Sequence, residues 1–315
     1  MVDPLAVTLS LLEDYAPGGD VLTSPESWPR WSILLSHVLT AVDHVPYGGG
    51  SDPAMAQNCS HLLNRAATFL RAQGRYVEAR PLFERALTID EAVHGPDHPN
   101  VAIRLNNLAQ ILQDLGDPAA ARPLAERALT IDEAAYEPDH PTIAIDLNNL
   151  ALILRHLGDP AAARLLAERA LTIGEAVYEP DHPTVAIYLN NLALILQHLG
   201  ETAAARPLAE RALTISEAAH GPDHPTIAVR LNNLALILRD LGDPAAARPL
   251  AERALTIDEA VYEADHPTIA VDLNNLALIL QDLGESEAAR SLTERARAIH
   301  DGADPTRRRS EETDK

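Results

Sequence analysis

Residues 141–182 read PTIAIDLNNLALILRHLGDPAAARLLAERALTIGEAVYEPDH. Pro141 follows Asp139 and His140 and suits a first helical position, where its missing N–H forfeits no bond. From Ile143 to Leu157 the chain places Ile, Ala and Leu on one broad face. Gly158 fits the left-handed residue that closes a helix. Asp159-Pro160 restarts the chain at once, Asp as N-cap and Pro in the first turn. Beyond it Ala163, Leu166, Ala167, Ala170 and Leu171 recur at i, i+3, i+4, i+7 and i+8, an amphipathic helix. Glu179-Pro180-Asp181 ends it near Tyr178. The stretch is therefore an antiparallel helix hairpin with a tight Gly-Asp-Pro turn.

This hairpin recurs. Asp-His-Pro begins at Asp97, Asp139, Asp181, Asp223 and Asp265, each 42 residues after the last. Leu-Asn-Asn-Leu-Ala keeps the same phase from Leu105, Leu147, Leu189, Leu231 and Leu273. Segments 141–182 and 225–266 differ at six positions. A diverged copy, Leu63-Asn64-Arg65-Ala66, lies one period upstream, making six units from about residue 53 to 300. Such self-similarity predicts a repeat architecture in which each unit packs on its neighbours.

Composition agrees. The hydrophobic fraction is 46% but aromatics are 3%, so the core is built from Ala and Leu, which suits close helix packing. Formal net charge is −21, unfavourable for nucleic-acid phosphates and for anionic membranes. The single cysteine, Cys59, allows no internal disulfide and no thiolate cluster. The N-terminus lacks the basic and apolar regions of a signal peptide, and no apolar run is long enough to span a membrane. A cytoplasmic protein is the expectation. The one lysine is Lys315, which excludes a phosphate-binding loop and Schiff-base chemistry.

The small residues Leu150-Ala151 of the first helix and Ala163 and Ala170 of the second resemble the tetratricopeptide repeat. The resemblance covers residues 53–300. Its period of 42, against the usual 34 or so, together with the Asp-His-Pro junction and the Leu-Asn-Asn-Leu-Ala core, is similar to the longer repeat of kinesin light chains and their bacterial relatives. The resemblance implies a right-handed, all-α solenoid of helix hairpins whose first helices line a concave groove.

Residues 1–50 lack the repeat. They predict a helix from about Asp3 to Tyr15, a loop at Pro17-Gly18-Gly19, a second helix from Trp28 to about His44, and a break at Pro46-Tyr47-Gly48-Gly49-Gly50. Solenoids need terminal units that cover the outermost apolar face, so this segment reads as an N-terminal helical cap. Its Trp28-Pro29-Arg30-Trp31 stretch also resembles the linker before repeats in bacterial signal-transduction ATPases. That resemblance implies the alternative of a signalling sensor acting without its own ATPase. Residues 301–315 carry Arg307-Arg308-Arg309 beside acids and read as a disordered tail.

On the first helix, Ile145, Asn149, Leu152 and His156 step by four, three and four residues and share one face. By resemblance this face is concave. Asn149 has equivalents at Asn107, Asn191, Asn233 and Asn275, with Arg65 in the first unit. Side-chain amides can hold the backbone of an extended peptide. Asp114, His156, His198, Asp240 and Asp282 would then set selectivity, favouring a mixed or basic protein or peptide partner. Asn148 and its equivalents read instead as structural.

The junction residues His98, His140, His182, His224 and His266 stand a unit apart, too far to share a metal. The Glu168-Arg169 type of pair reads as solvated surface. No His-Glu-x-x-His, Gly-x-Ser-x-Gly or Gly-x-Gly-x-x-Gly occurs. The expected function is a non-catalytic scaffold without cofactor, nucleic acid or membrane. Self-association through terminal repeats is a further expectation.

Overall fold

The computed structural model describes residues 3–18, 21–22, 24–45 and 52–303. Among these, every regular element is helical. The helices fall into two compact units, residues 1–173 and 174–315. The expected break at Pro46–Gly50 and all but the first three residues of the expected tail lie outside the described residues. Asp301, Gly302 and Ala303 belong to the last helix.

The first unit opens with α1 (Pro4–Tyr15) and α2 (Trp28–Asp43), both packed on α3 (Pro53–Ala72). Asp3 caps α1 by accepting from the Leu5 amide at 2.9 Å. Leu9 and Trp31 are fully buried, and Trp31 stacks on Phe69 with ring centroids 6.1 Å apart. The Trp28 indole donates to the Val21 carbonyl at 2.8 Å. Then α3 pairs with α4 (Tyr76–His94) and α5 (Pro99–Asp114) with α6 (Pro118–Ala135), followed by α7 (Pro141–His156). Helix α8 (Pro160–Val177) runs across the boundary of the units. In the second unit α9 (Pro183–His198) pairs with α10 (Thr202–His220), α11 (Pro225–Asp240) with α12 (Pro244–Val261), and α13 (Pro267–Asp282) with α14 (Ser286–Ala303).

Within each unit a first helix buries its apolar face between two second helices, as α5 and α11 show. Val101, Ala102 and Leu105 of α5 meet Ala128 and Ile131 of α6, with Leu87 of α4 closing the other side. Ile227, Ala228 and Leu231 of α11 meet Ala254 and Ile257 likewise, with Leu213 of α10. The recurring alanines permit this approach: Ala163, Ala170, Ala205, Ala212, Ala247 and Ala254 are fully buried. At the hairpin turn Gly158 has φ +81°, and Asp159 N–H bonds the Leu154 carbonyl at 2.9 Å, the left-handed closure that glycine permits. Asp159 then accepts from the Ala162 amide at 3.0 Å.

Proline does not always end a helix here. Pro81, Pro123, Pro207 and Pro249 lie inside second helices, each at the sixth residue. One turn in from the N-terminus, a proline removes a single intrahelical bond.

One interior position varies while its surroundings repeat. The residue near the end of each second helix and the residue 14 further on, in the next first helix, are both buried. The pairs are Asp90 with Arg104, Asp132 with Asp146, Ser216 with Arg230 and Asp258 with Asp272. At the remaining junction Gly174 faces Tyr188, which is 2% exposed.

Candidate functional site

The stripe on each first helix is a mixed surface. In α7, Ile145 is 43% exposed, Asn149 is buried, Leu152 is half-buried and His156 is exposed. Ile103, Ile187, Val229 and Val271 repeat the exposure of Ile145, at 42–55%. Successive first helices touch within each unit: α5 with α7, α9 with α11, and α11 with α13. Within each unit the stripes therefore lie side by side and form a row of aliphatic rungs. The sequence reading placed Ile145 and Leu152 on this face but named only polar residues as contacts. The missed signal was a β-branched aliphatic residue on a face that the core does not use.

The asparagines are turned toward their neighbours. The Asn107 amide donates to Asn64 Oδ1 at 2.7 Å and the Asn233 amide to Asn190 Oδ1 at 3.0 Å. Gln110 donates to Asn149 Oδ1 at 3.4 Å, and Asn190 to Asn191 Oδ1 at 3.2 Å. Asn149 and Asn191 are 7% and 8% exposed, whereas Asn107, Asn233 and Asn275 are half-buried. Stacked first helices bring residues 43 apart into contact, so the ladder joins repeats. Arg65 is engaged by the segment before the repeats. Its guanidinium sits over the Trp31 ring at 5.3 Å, bonds Glu13 at 3.4 Å and donates to the Pro17 carbonyl.

The charged ends of the stripes are partly matched as well. Asp114 pairs with Arg71, which also donates to Gln110 at 2.6 Å. His156 Nδ1 lies 3.2 Å from Gln113 Oε1. Asp240 accepts from Gln197 at 2.7 Å and from Arg239 at 2.8 Å. Arg239 also lies 3.5 Å from Asp282. His198 is exposed. Arg71 and Arg239 thus offset much of the acidity the sequence suggested for this edge.

A family model, the tetratricopeptide repeat, matches residues 58–134, 105–176, 142–218, 184–260 and 226–301. The chain belongs to the tetratricopeptide repeat family. Among solved structures it resembles a kinesin light chain-type protein of Podosopora anserina with nearly identical tetratricopeptide-like repeats. That match has 24% identity and TM-score 0.51, covering 66% of this chain and 99% of that one. It also resembles BtubC (BKLC) from P. vanneervenii, with 23% identity and TM-score 0.53, covering 74% and 91%. The apo form of RapI matches with 13% identity and TM-score 0.63, covering 86% and 91%. At these identities the likeness establishes the fold alone. No curated protein matches the sequence.

The junction histidines of these tetratricopeptide repeats are helix caps. His98, His140, His182, His224 and His266 each accept through Nδ1 from the amide two residues on, at 3.1–3.3 Å. Each ring also stacks on the aromatic residue four positions earlier, such as Tyr178 under His182 with centroids 4.4 Å apart. The cap needs the tautomer with its proton on Nε2. His182→Ala should lower stability by about 1 kcal/mol, whereas His182→Asp should keep most of it, read as urea midpoints. Equal midpoints for the two variants would refute the capping role.

Arginines of the second helices reach back to the preceding repeat. Arg127 pairs with Glu91, Arg169 with Glu133, Arg211 with Glu175 and Arg253 with Glu217, at 2.6–2.8 Å. Each lies largely in solvent, as the sequence suggested for the Glu168-Arg169 type of pair, and contributes little singly. Among the described residues no cluster of His, Cys, Asp or Glu could hold a metal ion, and no helix is long and apolar enough to cross a membrane.

Proposed function

We propose that this chain is a non-catalytic, cytoplasmic interaction module that holds an extended polypeptide along the stripes of its first helices. Tetratricopeptide arrays are protein-interaction modules in general, and the near-identity of the units argues against a single asymmetric reaction centre. The observation that carries the reading is the exposed aliphatic side chains in each unit, Ile103 and Ile145 in the first and Ile187, Val229 and Val271 in the second. The family core does not need them exposed, and water disfavours them.

The partner chemistry follows from the same surface. Aliphatic side chains of a peptide would meet the rungs, and its polar groups would meet His156, His198 and Asp282. The asparagine ladder keeps a contributory role through its half-buried members Asn107, Asn233 and Asn275. The matched carboxylates at Asp114 and Asp240 make a mixed partner fit better than a strongly basic one. No nucleic acid or membrane is invoked, since net charge is −21.

The test is a peptide-library selection on the parent chain and on a variant carrying Ile103→Ser, Ile145→Ser, Ile187→Ser and Val229→Ser, with equal helicity verified. The parent should enrich peptides with spaced aliphatic residues and the variant should not. Equal enrichment by both, or none by the parent, would overturn the reading.

A further inference from the structure

Two junctions enclose facing carboxyls. Asp132 and Asp146 are fully buried, and Asp258 and Asp272 are each 1% exposed. Within each pair the two carboxyls lie close enough to interact directly. A single amide serves each pair: Asn106 donates to Asp146 Oδ1, and Asn232 to Asp272 Oδ1. Both oxygens of Asp132, both of Asp258, and Oδ2 of Asp146 and of Asp272 meet no N–H or O–H donor. The arrangement occurs twice, three repeats apart, with the same three residue types. The equivalent junction in α4 and α5 is filled differently, by an ion pair of Asp90 with Arg104.

The surroundings supply little compensation. Around the first pair, α5 contributes the neutral Asn106, α6 contributes Glu133, and the α6–α7 junction contributes His140. Around the second, α11 contributes Asn232 and α12 contributes Glu259. Both glutamates are themselves paired to an arginine, Glu133 with Arg169 and Glu259 with Arg295, at 2.6–2.8 Å, so those cations are already matched. Two adjoining buried carboxylates with no cation between them cannot both ionise. One proton resolves the conflict, because a carboxyl O–H can donate to the facing carboxylate while the asparagine amide holds that carboxylate's other side. The proton belongs to the pair, as in any strongly coupled site.

We propose that each of these two junctions binds one proton shared between its aspartates, and that this proton holds the junction closed, so the array loosens at these two places as pH rises. Burial raises the affinity of all four groups for protons, carrying Asp146 to about 8 and Asp258 to about 9. Unfolded aspartate titrates near 3.9. The folded state therefore holds protons that the unfolded chain has lost. The stabilising contribution is complete below about pH 4 and is lost as pH rises through the folded values of about 8 and about 9.

The experiment uses the full chain labelled with carbon-13 at the aspartate carboxyls. One carboxyl signal from each pair should titrate above pH 7, and each should vanish in Asp146→Asn or Asp258→Asn. In parallel, amide exchange is compared between pH 6 and 9.5, after correction for intrinsic rates. Opening of α7 and α13 should grow relative to α9 by up to about tenfold per pH unit within the window. Should the asparagine variants fail to fold, Asp132→Gly with Asp146→Tyr and Asp258→Gly with Asp272→Tyr transplant the junction found at Gly174 and Tyr188, and should open independently of pH. The proposal fails if every aspartate titrates below pH 5, or if α7 and α13 open no more than α9.

Discussion

Arg104→Ala should lower the stability of the first unit by about 3–5 kcal/mol, because it strands the carboxylate of Asp90 in the interior. Arg104 Nε donates to Asp90 Oδ2 at 2.8 Å, and the two side chains are 8% and 2% exposed. Exposed pairs such as Arg122 with Glu126 lie in water and carry no comparable penalty. The distinction is the desolvation of the partner left behind, not the attraction within the pair. The double variant Asp90→Leu, Arg104→Leu should therefore recover most of the loss, since a packed apolar pair removes both charges together. Urea titration of the parent, the single variant and the double variant checks this. An Arg104→Ala midpoint close to the parent's would mean that the slot admits water, and a double variant no better than the single would remove the charge argument.

The hairpins, their turn and their period were legible because they depend on local chemistry. Gly158 and Asp159 act within a few residues of themselves, and Ala163 and Ala170 reveal a close helix contact by their size. Burial of the apolar faces followed from periodicity. The polar residues were harder, because periodicity assigns a residue to a face without saying what fills the space before it. Asn107 and Asn233 share the face of Ile103 and Val229, yet their amides meet asparagines 43 residues earlier. Arg65 sits in the groove register, but Trp31, Glu13 and the Pro17 carbonyl reach it from outside the repeat. The histidines of Asp-His-Pro were legible as junction residues; their capping bond needed the geometry of Nδ1 against the amide two positions on. Variation between units was informative in both interior and edge. In the interior it concentrated at residue pairs 14 apart that sit on two different helices, so the period of neither helix relates them.

Gly174→Asp should be among the most damaging single substitutions in the chain, although aspartate is the residue that Asp90, Asp132 and Asp258 place at the equivalent position. A Cβ built on Gly174 would lie 2.7 Å from Cδ2 and Cε2 of Tyr188. That ring is held in the interior at 2% exposure, so it has little room to retreat. Overpacking of this kind costs about 1–3 kcal/mol, and a buried carboxyl brought against a phenol ring without a dedicated donor adds a similar penalty. The total expected loss is about 3–5 kcal/mol. If the junction slots are matched pairs, the damage is conditional on Tyr188. Tyr188→Asp introduced into the same chain should rescue it by rebuilding the carboxyl pair seen at Asp258 and Asp272. Tyr188→Asp alone should itself destabilise, since it leaves a cavity opposite Gly174. The two single losses should therefore exceed the loss in the double variant, a coupling of more than about 1 kcal/mol for residues in contact. Midpoints that simply add would show that each slot tolerates any small buried residue, and the matched-pair account of how the junctions are specified would then fall.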